Sequence, residues 1–270
     1  MPELPEVETT RRGIEPYLLN RTIKSVAIRH HGLRWPIPAN LETEIAGQRV
    51  NNISRRGKYI LVSIRTGTLI IHLGMSGSLR RVKCSEPPEK HDHVDFVLGR
   101  YCIRFRDPRR FGAILFTKDD PLQHKLLKSL GPEPLEKGFN GEYLYQRSRH
   151  RKVSIKQFIM DSKTVVGVGN IYASESLFYA GIHPNRPAGK VSKARYQELA
   201  KAIKKVLRAA IKQGGTTLQD FTDSEGQPGY FRQKLAVYGR TGEPCIKCGH
   251  AVKQLVQGQR SSYYCSHCQR

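Results

Sequence analysis

The chain begins MPELPEVETT, with proline second and glutamates at positions 3, 6 and 8. Methionine is normally removed before so small a second residue, which would leave Pro2 as a free secondary amine beside the carboxyl of Glu3. A reference α-amine pKa of about 7.7–8.0 leaves roughly a fifth to a third of such an amine neutral near pH 7.4, against on the order of 0.1% for a lysine at about 10.4. Proline is intrinsically somewhat more basic than that reference, but the advantage over lysine stays large. A neutral amine attacks a carbonyl or equivalent electrophilic carbon and forms an iminium. A neighbouring carboxyl can deliver and collect the protons. The competing reading is structural, because proline in a first turn and acids at the positive end of a helix dipole both favour helix entry.

The electrophile is suggested by charge. In 270 residues, 46 Lys and Arg against 23 Asp and Glu give a net charge of +23, which implies an anionic partner, most often nucleic acid. On DNA the carbon suited to an amine is C1′ of a deoxyribose whose base is being displaced. With the sugar held as an iminium, the C2′ proton becomes acidic and the 3′ phosphate leaves by β-elimination. A second elimination releases the 5′ phosphate. C1′ is inaccessible inside a duplex, so the nucleotide must be flipped out, at a cost of about a few kcal/mol of unstacking.

Several short stretches fit that task. In DPRRFG, Phe111 follows Arg109 and Arg110 at a turn between strands; an aromatic at a basic loop tip can wedge between base pairs while an arginine meets the orphaned base. HLGMSG offers Met75 in a glycine-bounded turn. Core packing is the plainer reading of both side chains. RSRHRKVSIK carries Arg147, Arg149, Arg151, Lys152 and Lys156 with no acid, a run suited to phosphates or simply to solvent. In VVGVGNIYASE, Gly167 and Gly169 permit close backbone approach, and Asn170 opens a helix whose N–H groups favour an anion. Lys58 enters a strand just after Arg55 and Arg56, whose charges would favour its neutral, proton-transferring form. His91, His93 and Asp95 in HDHVDF suit water or phosphate better than a metal.

Six cysteines are present, and four form C-x2-C-x16-C-x2-C from Cys245 and Cys248 to Cys265 and Cys268. Four thiolates in two such pairs suit one tetrahedral Zn(II) with no open position, a structural ion. The segment between the pairs predicts a hairpin presenting Gln259, Arg260 and Ser261. No apolar run approaches the roughly 18 residues of a membrane span, and the acidic start lacks the features of a signal peptide; the expectation is a cytoplasmic protein with no membrane partner.

The elements that must position these residues change character along the chain. A helix is predicted over 3–15, stopped by Pro16, followed by six short β-branched strands: SVAIRH, YILVSIR, TLIIHLG, HVDFVLG, CIRFRD and GAILFTK. They predict a sandwich or barrel over 1–133. LGPEPLEKGFNG reads as the start of a linker, 134–150. Helices are predicted at 154–162 and 170–180, with a long amphipathic one from the Ser192 cap to Gly214. This gives a helical domain over 151–235 and a cysteine module over 236–270.

Taken together and in order, MPELPEVET, HLGMSG, KHDHVD, DPRRFG, VVGVGNIYASE and the four-cysteine module resemble bacterial formamidopyrimidine-DNA glycosylase over essentially the whole chain. The resemblance implies an α+β multidomain fold: an N-terminal β-sandwich with flanking helices, a C-terminal helix-two-turn-helix domain and a zinc finger, with DNA in the cleft between the halves. It implies a monomer, associated with the nucleoid, that removes oxidised purines (8-oxoguanine, formamidopyrimidines) from double-stranded DNA and cleaves abasic sites by β,δ-elimination. Matched position by position, it makes Pro2 the Schiff-base nucleophile, Glu3 an acid/base residue, Lys58 the proton donor of β-elimination and Arg260 the residue of δ-elimination. His91, Arg109, Arg151, Lys156 and Asn170 match DNA-contacting positions. Met75, Arg109 and Phe111 match an inserted triad, and Glu6 the lesion pocket. Arg151 stands where a related member carries lysine, which keeps the charge and changes the geometry. Two rivals stand beside this reading. One is the endonuclease VIII branch, specific for oxidised pyrimidines; the other is a non-catalytic zinc-containing DNA-binding protein. The lesion-facing loop is expected near QDFTDSEGQPGYF.

Overall fold

The computed structural model describes residues 1–215 and 235–270, and the expected lesion-facing loop lies outside them. Contacts divide the chain into two compact units, the first from Met1 to Ser129 with 213–215, the second from Leu130 to Lys212 with 235–270.

The first unit opens with helix α1, Leu4–Leu18. It continues through Pro16 rather than stopping there. Proline forfeits the bond its N–H would make to the preceding turn, but Leu19 N–H still reaches the Glu15 carbonyl at 2.9 Å, and Leu18 is buried in the core. Strand β1 (Ser25–Ile28) and the short helix α2 (Leu41–Ile45) follow. Then come β2 (Val50–Arg56), β3 (Tyr59–Ile64), β4 (Gly67–His72), β5 (Ser78–Lys83), β6 (Asp92–Val97), β7 (Tyr101–Arg106) and β8 (Ala113–Thr117). They form two antiparallel four-stranded sheets, in the orders β1-β6-β7-β5 and β2-β3-β4-β8. Side chains from both sheets and from α1 and α2 share one core, including Val7, Ile14, Ile60, Ile71, Phe96 and Phe105. The six strands expected from β-branched runs are present. The two not anticipated, β2 (VNNISRR) and β5 (SLRRVK), are edge strands whose few apolar residues are interrupted by polar and charged ones.

The second unit holds α3 (Gly141–Ser148), α4 (Ile155–Met160), α5 (Asn170–Tyr179) and α6 (Lys193–Lys212). Helix α3 lies within the segment read as a linker, and this corrects that reading: it packs against α6. Gly141 permits the contact, since a Cβ there would sit 2.4 Å from the Gln197 backbone. The helix is only eight residues long, about two turns, with Tyr143, Leu144 and Tyr145 as its apolar residues, too short to register as periodicity. The unit ends in a hairpin, β9 (Lys253–Gln257) and β10 (Arg260–Tyr264), closed by Gly258 and Gln259, both at positive φ. Among the described residues no helix is long and apolar enough to cross a membrane.

Candidate functional site

Pro2 is buried at the head of α1 and Glu3 is its N-cap, 3% exposed. Glu6, fully buried, accepts the Glu3 backbone N–H at 2.8 Å, the return bond of a capping box. The glutamate matched to a lesion pocket therefore also fixes the backbone that carries Glu3. One turn on, Glu8 accepts from Arg11 and Arg12 within α1 and from Arg55 Nε at 3.2 Å. Burial alone would raise the Glu8 carboxyl, but the Arg11 and Arg12 bonds and the charges of Arg11 and Arg55 hold it below the usual carboxylate range. Arg55 also donates to the Gly57 carbonyl at 2.8 Å. It thus ties the β2–β3 turn, which carries half-buried Lys58, to the first turns of α1.

Facing Tyr59 across β3 and β4 is His72, with ring centroids 4.8 Å apart. Burial, then the charges of Lys58 and Arg34, push this imidazole down to about 4. Its Nδ1 accepts the Gly74 N–H at 3.0 Å, a bond only the neutral ring can make, so the remaining proton sits on Nε2. Sequence reasoning passed over His72 although it begins HLGMSG; the only available signal was its place at a strand end next to two glycine turns.

Met75 and the Arg109–Phe111 pair come from loops that are locked together. Asp107, fully buried, accepts Ser76 Oγ–H at 2.9 Å and Gly112 N–H at 2.7 Å, and Arg109 N–H reaches Ser76 Oγ at 3.2 Å. The loops touch so closely that a Cβ on Gly74, at φ +67°, would lie 2.4 Å from the Phe111–Gly112 backbone. Phe111 is 44% exposed and the Arg109 guanidinium lies 5.0 Å from its ring centre, so core packing does not account for this phenylalanine. Met75 is half-buried. His91, half-buried, holds Asp107 N–H through its carbonyl at 3.0 Å, and His93 Nε2 lies 2.8 Å from the Asp107 carbonyl. Asp95 pairs with Arg104 and Arg29. The side chains of His93 and Asp95 are thus engaged with protein groups, whereas the bond made by His91 comes from its backbone. Asp107 was not singled out from the sequence, although it heads DPRRFG.

In the second unit Lys156 is 1% exposed. Its ammonium donates to Asn170 Oδ1 at 2.6 Å, Ser261 carbonyl at 2.9 Å and Ser262 Oγ at 2.7 Å. Asn170 opens α5 as anticipated, after Gly167 at φ +81°, and its amide lies 3.4 Å from the Tyr238 hydroxyl. Lys156 therefore joins α4, the start of α5 and β10. Arg151 and Arg260 are exposed, Arg260 on the hairpin turn. Glu175, near the end of VVGVGNIYASE, accepts the N–H groups of Ala236, Val237 and Tyr238 at 2.8–3.0 Å. Burial pushes its carboxyl up, and the three backbone donors oppose that. This anchor for the segment entering the cysteine module was also missed, because a lone glutamate in a buried helix has no sequence signature.

The sulfurs of Cys245, Cys248, Cys265 and Cys268 all lie within 4.8 Å of one another, with Cys248 and Cys265 3.5 Å apart and Cys245 and Cys268 4.0 Å apart. Tetrahedral zinc with Zn–S bonds of about 2.3 Å requires sulfur separations of roughly 3.8 Å, so the set fits the ion. Among the described residues this is the one cluster able to hold a metal. Cys245 and Cys265 share a small core with Phe178 of α5, Val237 and Val252.

Three family models match in order: the formamidopyrimidine-DNA glycosylase N-terminal domain over residues 1–114, its H2TH domain over 130–222, and a zinc finger found in FPG and IleRS over 242–270. A formamidopyrimidine-DNA glycosylase of Stutzerimonas stutzeri is 56% identical over 271 residues, covering 100% of both chains. A Lactococcus lactis Fpg mutant in complex with Fapy-dG containing DNA superposes with a TM-score of 0.93 at 32% identity, covering 100% of both chains. The L. lactis protein with abasic site containing DNA gives 0.91 at 33% identity, covering 99% of each.

Proposed function

The chain belongs to the formamidopyrimidine-DNA glycosylase family and is a base-excision repair enzyme for oxidised purines; from that premise we infer that Pro2, Glu3 and Lys58 carry its chemistry on duplex DNA. With Met1 removed, the Pro2 nitrogen attacks C1′ of the flipped nucleotide. The glycosidic bond breaks, and Glu3 supplies a proton to the sugar or the departing base, leaving an iminium. Loss of the C2′ proton expels the 3′ phosphate, with Lys58 as proton donor, and Arg260 assists the second elimination that frees the 5′ phosphate. Water then releases the sugar fragment and restores the amine.

The remaining residues bind and open the duplex. Met75 and Phe111 fill the vacated stack, and Arg109 meets the orphaned base. His91 and Arg151 contact the backbone. Lys156 adds buried positive charge and orients Asn170 at the head of α5, where the helix dipole favours a phosphate. Bound zinc, held by Cys245, Cys248, Cys265 and Cys268, supplies no catalysis; it fixes the hairpin that presents Arg260. Because its substrate is chromosomal DNA, the expected location of the enzyme is the cytoplasm, at the nucleoid. The assignment rests on one observation above all: the buried Pro2–Glu3 pair at the head of α1, with the Lys58 turn tied to that helix through Glu8 and Arg55.

Borohydride trapping on a duplex containing 8-oxoguanine opposite cytosine tests it, with an oxidised-pyrimidine duplex alongside and mass spectrometry to locate the adduct. The expected product is a crosslink at Pro2, stronger on the purine lesion and lost in Pro2→Gly. A crosslink at another amine would overturn the assignment of the nucleophile, and a pyrimidine preference would favour the endonuclease VIII type of specificity.

A further inference from the structure

Two cysteines lie outside the zinc cluster, and both are in the sheet β1-β6-β7-β5 or at its edge. Cys102 lies on β7 opposite Val82 of β5 and is completely buried. Cys84 is the first residue after β5, exposed, with its backbone N–H held by the Arg100 carbonyl at 2.9 Å. In this register the two side chains stand on one face of the sheet, diagonal to each other across neighbouring strands. Cys84 Sγ reaches the Gly99 carbonyl at 3.1 Å, and the Cys84 thiol lies close enough to Cys102 to contribute to the upward shift of its pKa. We propose that Cys84 and Cys102 are a reversible thiol–disulfide pair, in which a hydroperoxide oxidises Cys84 and Cys102 resolves it to a disulfide.

Access assigns the roles. A peroxide in solution reaches Cys84 and not Cys102. Its distal oxygen transfers to Cys84 sulfur, giving a sulfenic acid and releasing water from hydrogen peroxide or an alcohol from an organic hydroperoxide. The Cys102 sulfur then displaces the sulfenic hydroxyl, its proton leaves with that hydroxyl as water, and the S–S bond forms. Burial, with the nearby Asp95 charge, pushes the Cys102 thiol up to about 12, so it keeps its proton until an oxidised partner arrives. Reduction by a small thiol reverses the bond by exchange.

Closure requires a backbone movement. Diagonal cross-strand positions hold their Cα atoms about 7–8 Å apart, beyond the roughly 4.4–6.8 Å that a disulfide spans. That movement falls on Cys84, which sits in a turn at the end of an edge strand. The bond closes residues 84–102, which include His91 and all of β6, into a covalent ring. That segment is already clamped by Arg104, which donates to the Glu86 and Pro87 carbonyls.

The test treats the zinc-loaded protein with graded hydrogen peroxide, blocks remaining thiols, and maps all six cysteines by mass spectrometry of a non-reduced digest. The expected result is a Cys84–Cys102 crosslinked peptide within single chains, abolished by dithiothreitol and absent from Cys84→Ser, which keeps its glycosylase activity because Cys84 touches no catalytic group. Oxidised wild type should also unfold at higher urea than reduced wild type, and Cys84→Ser should show no such shift. Conversion of Cys84 to sulfinic or sulfonic acid while Cys102 stays a free thiol would overturn the proposal. So would a disulfide joining Cys84 of two chains, or no reaction at either position. Because the first readout is on the wild type, a Cys102→Ala variant that failed to fold would not obscure it.

Discussion

His72 shows how a single side chain records its surroundings. An imidazole held neutral by burial, Lys58 and Arg34, with a pKa of about 4 against the ordinary 6.5, binds fewer protons in the folded chain than in the unfolded one between those values. Its contribution to stability is complete above pH 6.5 and is lost as the pH falls from 6.5 toward 4. At about 1.4 kcal/mol for each tenfold change in proton affinity, the loss is on the order of 3 kcal/mol at most. Urea unfolding at pH 7 and pH 5 should therefore show a steeper fall for the wild type than for His72→Gln; parallel losses would mean the ring does not titrate this way. Phe111 gives a second residue-scale test. With its ring 44% exposed, Phe111→Ala should change stability by no more than about 0.5 kcal/mol. It should nevertheless slow excision from duplex DNA far more than it weakens binding to an abasic site, and equal losses on both substrates would count against a wedge.

At the scale of elements, the two loops that carry Met75 and Phe111 act as one because Asp107 bonds to both. Asp107→Ala strands Ser76 Oγ and Gly112 N–H in a buried site, at about 1–3 kcal/mol for each lost partner. The expected phenotype combines a lower urea midpoint with a loss of kcat/KM on 8-oxoguanine duplex exceeding that of Phe111→Ala; full activity would show that the loops are positioned by something else. The zinc module has a parallel dependence. Ser261 and Ser262 of β10 accept two of the Lys156 bonds, and the hairpin has little core apart from its cysteines, Val252 and the residues packed on Phe178. Chelating the zinc should release the hairpin and weaken DNA binding strongly, measurable by fluorescence anisotropy, while leaving α1 and the Pro2 amine intact. A metal-free protein that bound DNA normally would refute the role given to the module.

For the whole molecule, the governing quantity is a net charge of +23. Each phosphate neutralised releases counterions, so log affinity for duplex DNA should fall linearly with log salt, with a slope of about −0.9 per contact. Arg151→Ala, at an exposed site, should weaken binding to lesion and undamaged duplexes alike and lower that slope by about one. A loss confined to the lesion duplex would place Arg151 in base recognition instead.

Much of this was legible from residue order. The Pro2–Glu3 start, the C-x2-C pairs, the six β-branched strands and the amphipathic α6 each depend on local spacing, and local spacing is what a chain displays before it folds. Partnerships across long sequence separations were not legible. Glu8 holding Arg55, Asp107 joining Ser76 to Gly112, Lys156 reaching Ser261 and Ser262, and Glu175 capping three N–H groups near residue 237 are bonds between groups as much as about a hundred residues apart. Polar side chains of this kind have no periodic signature, and burial decides whether one is a solvated charge or a structural clamp. Edge strands β2 and β5 and helix α3 escaped notice for a related reason: their apolar faces are short and acquire meaning only from the surfaces they cover. Amino-acid order by itself thus determined which chemistry the chain carries, through residue types a few positions apart; only the tertiary structure decided which groups hold that chemistry in place, because burial and long-range pairing exist only once the chain has folded.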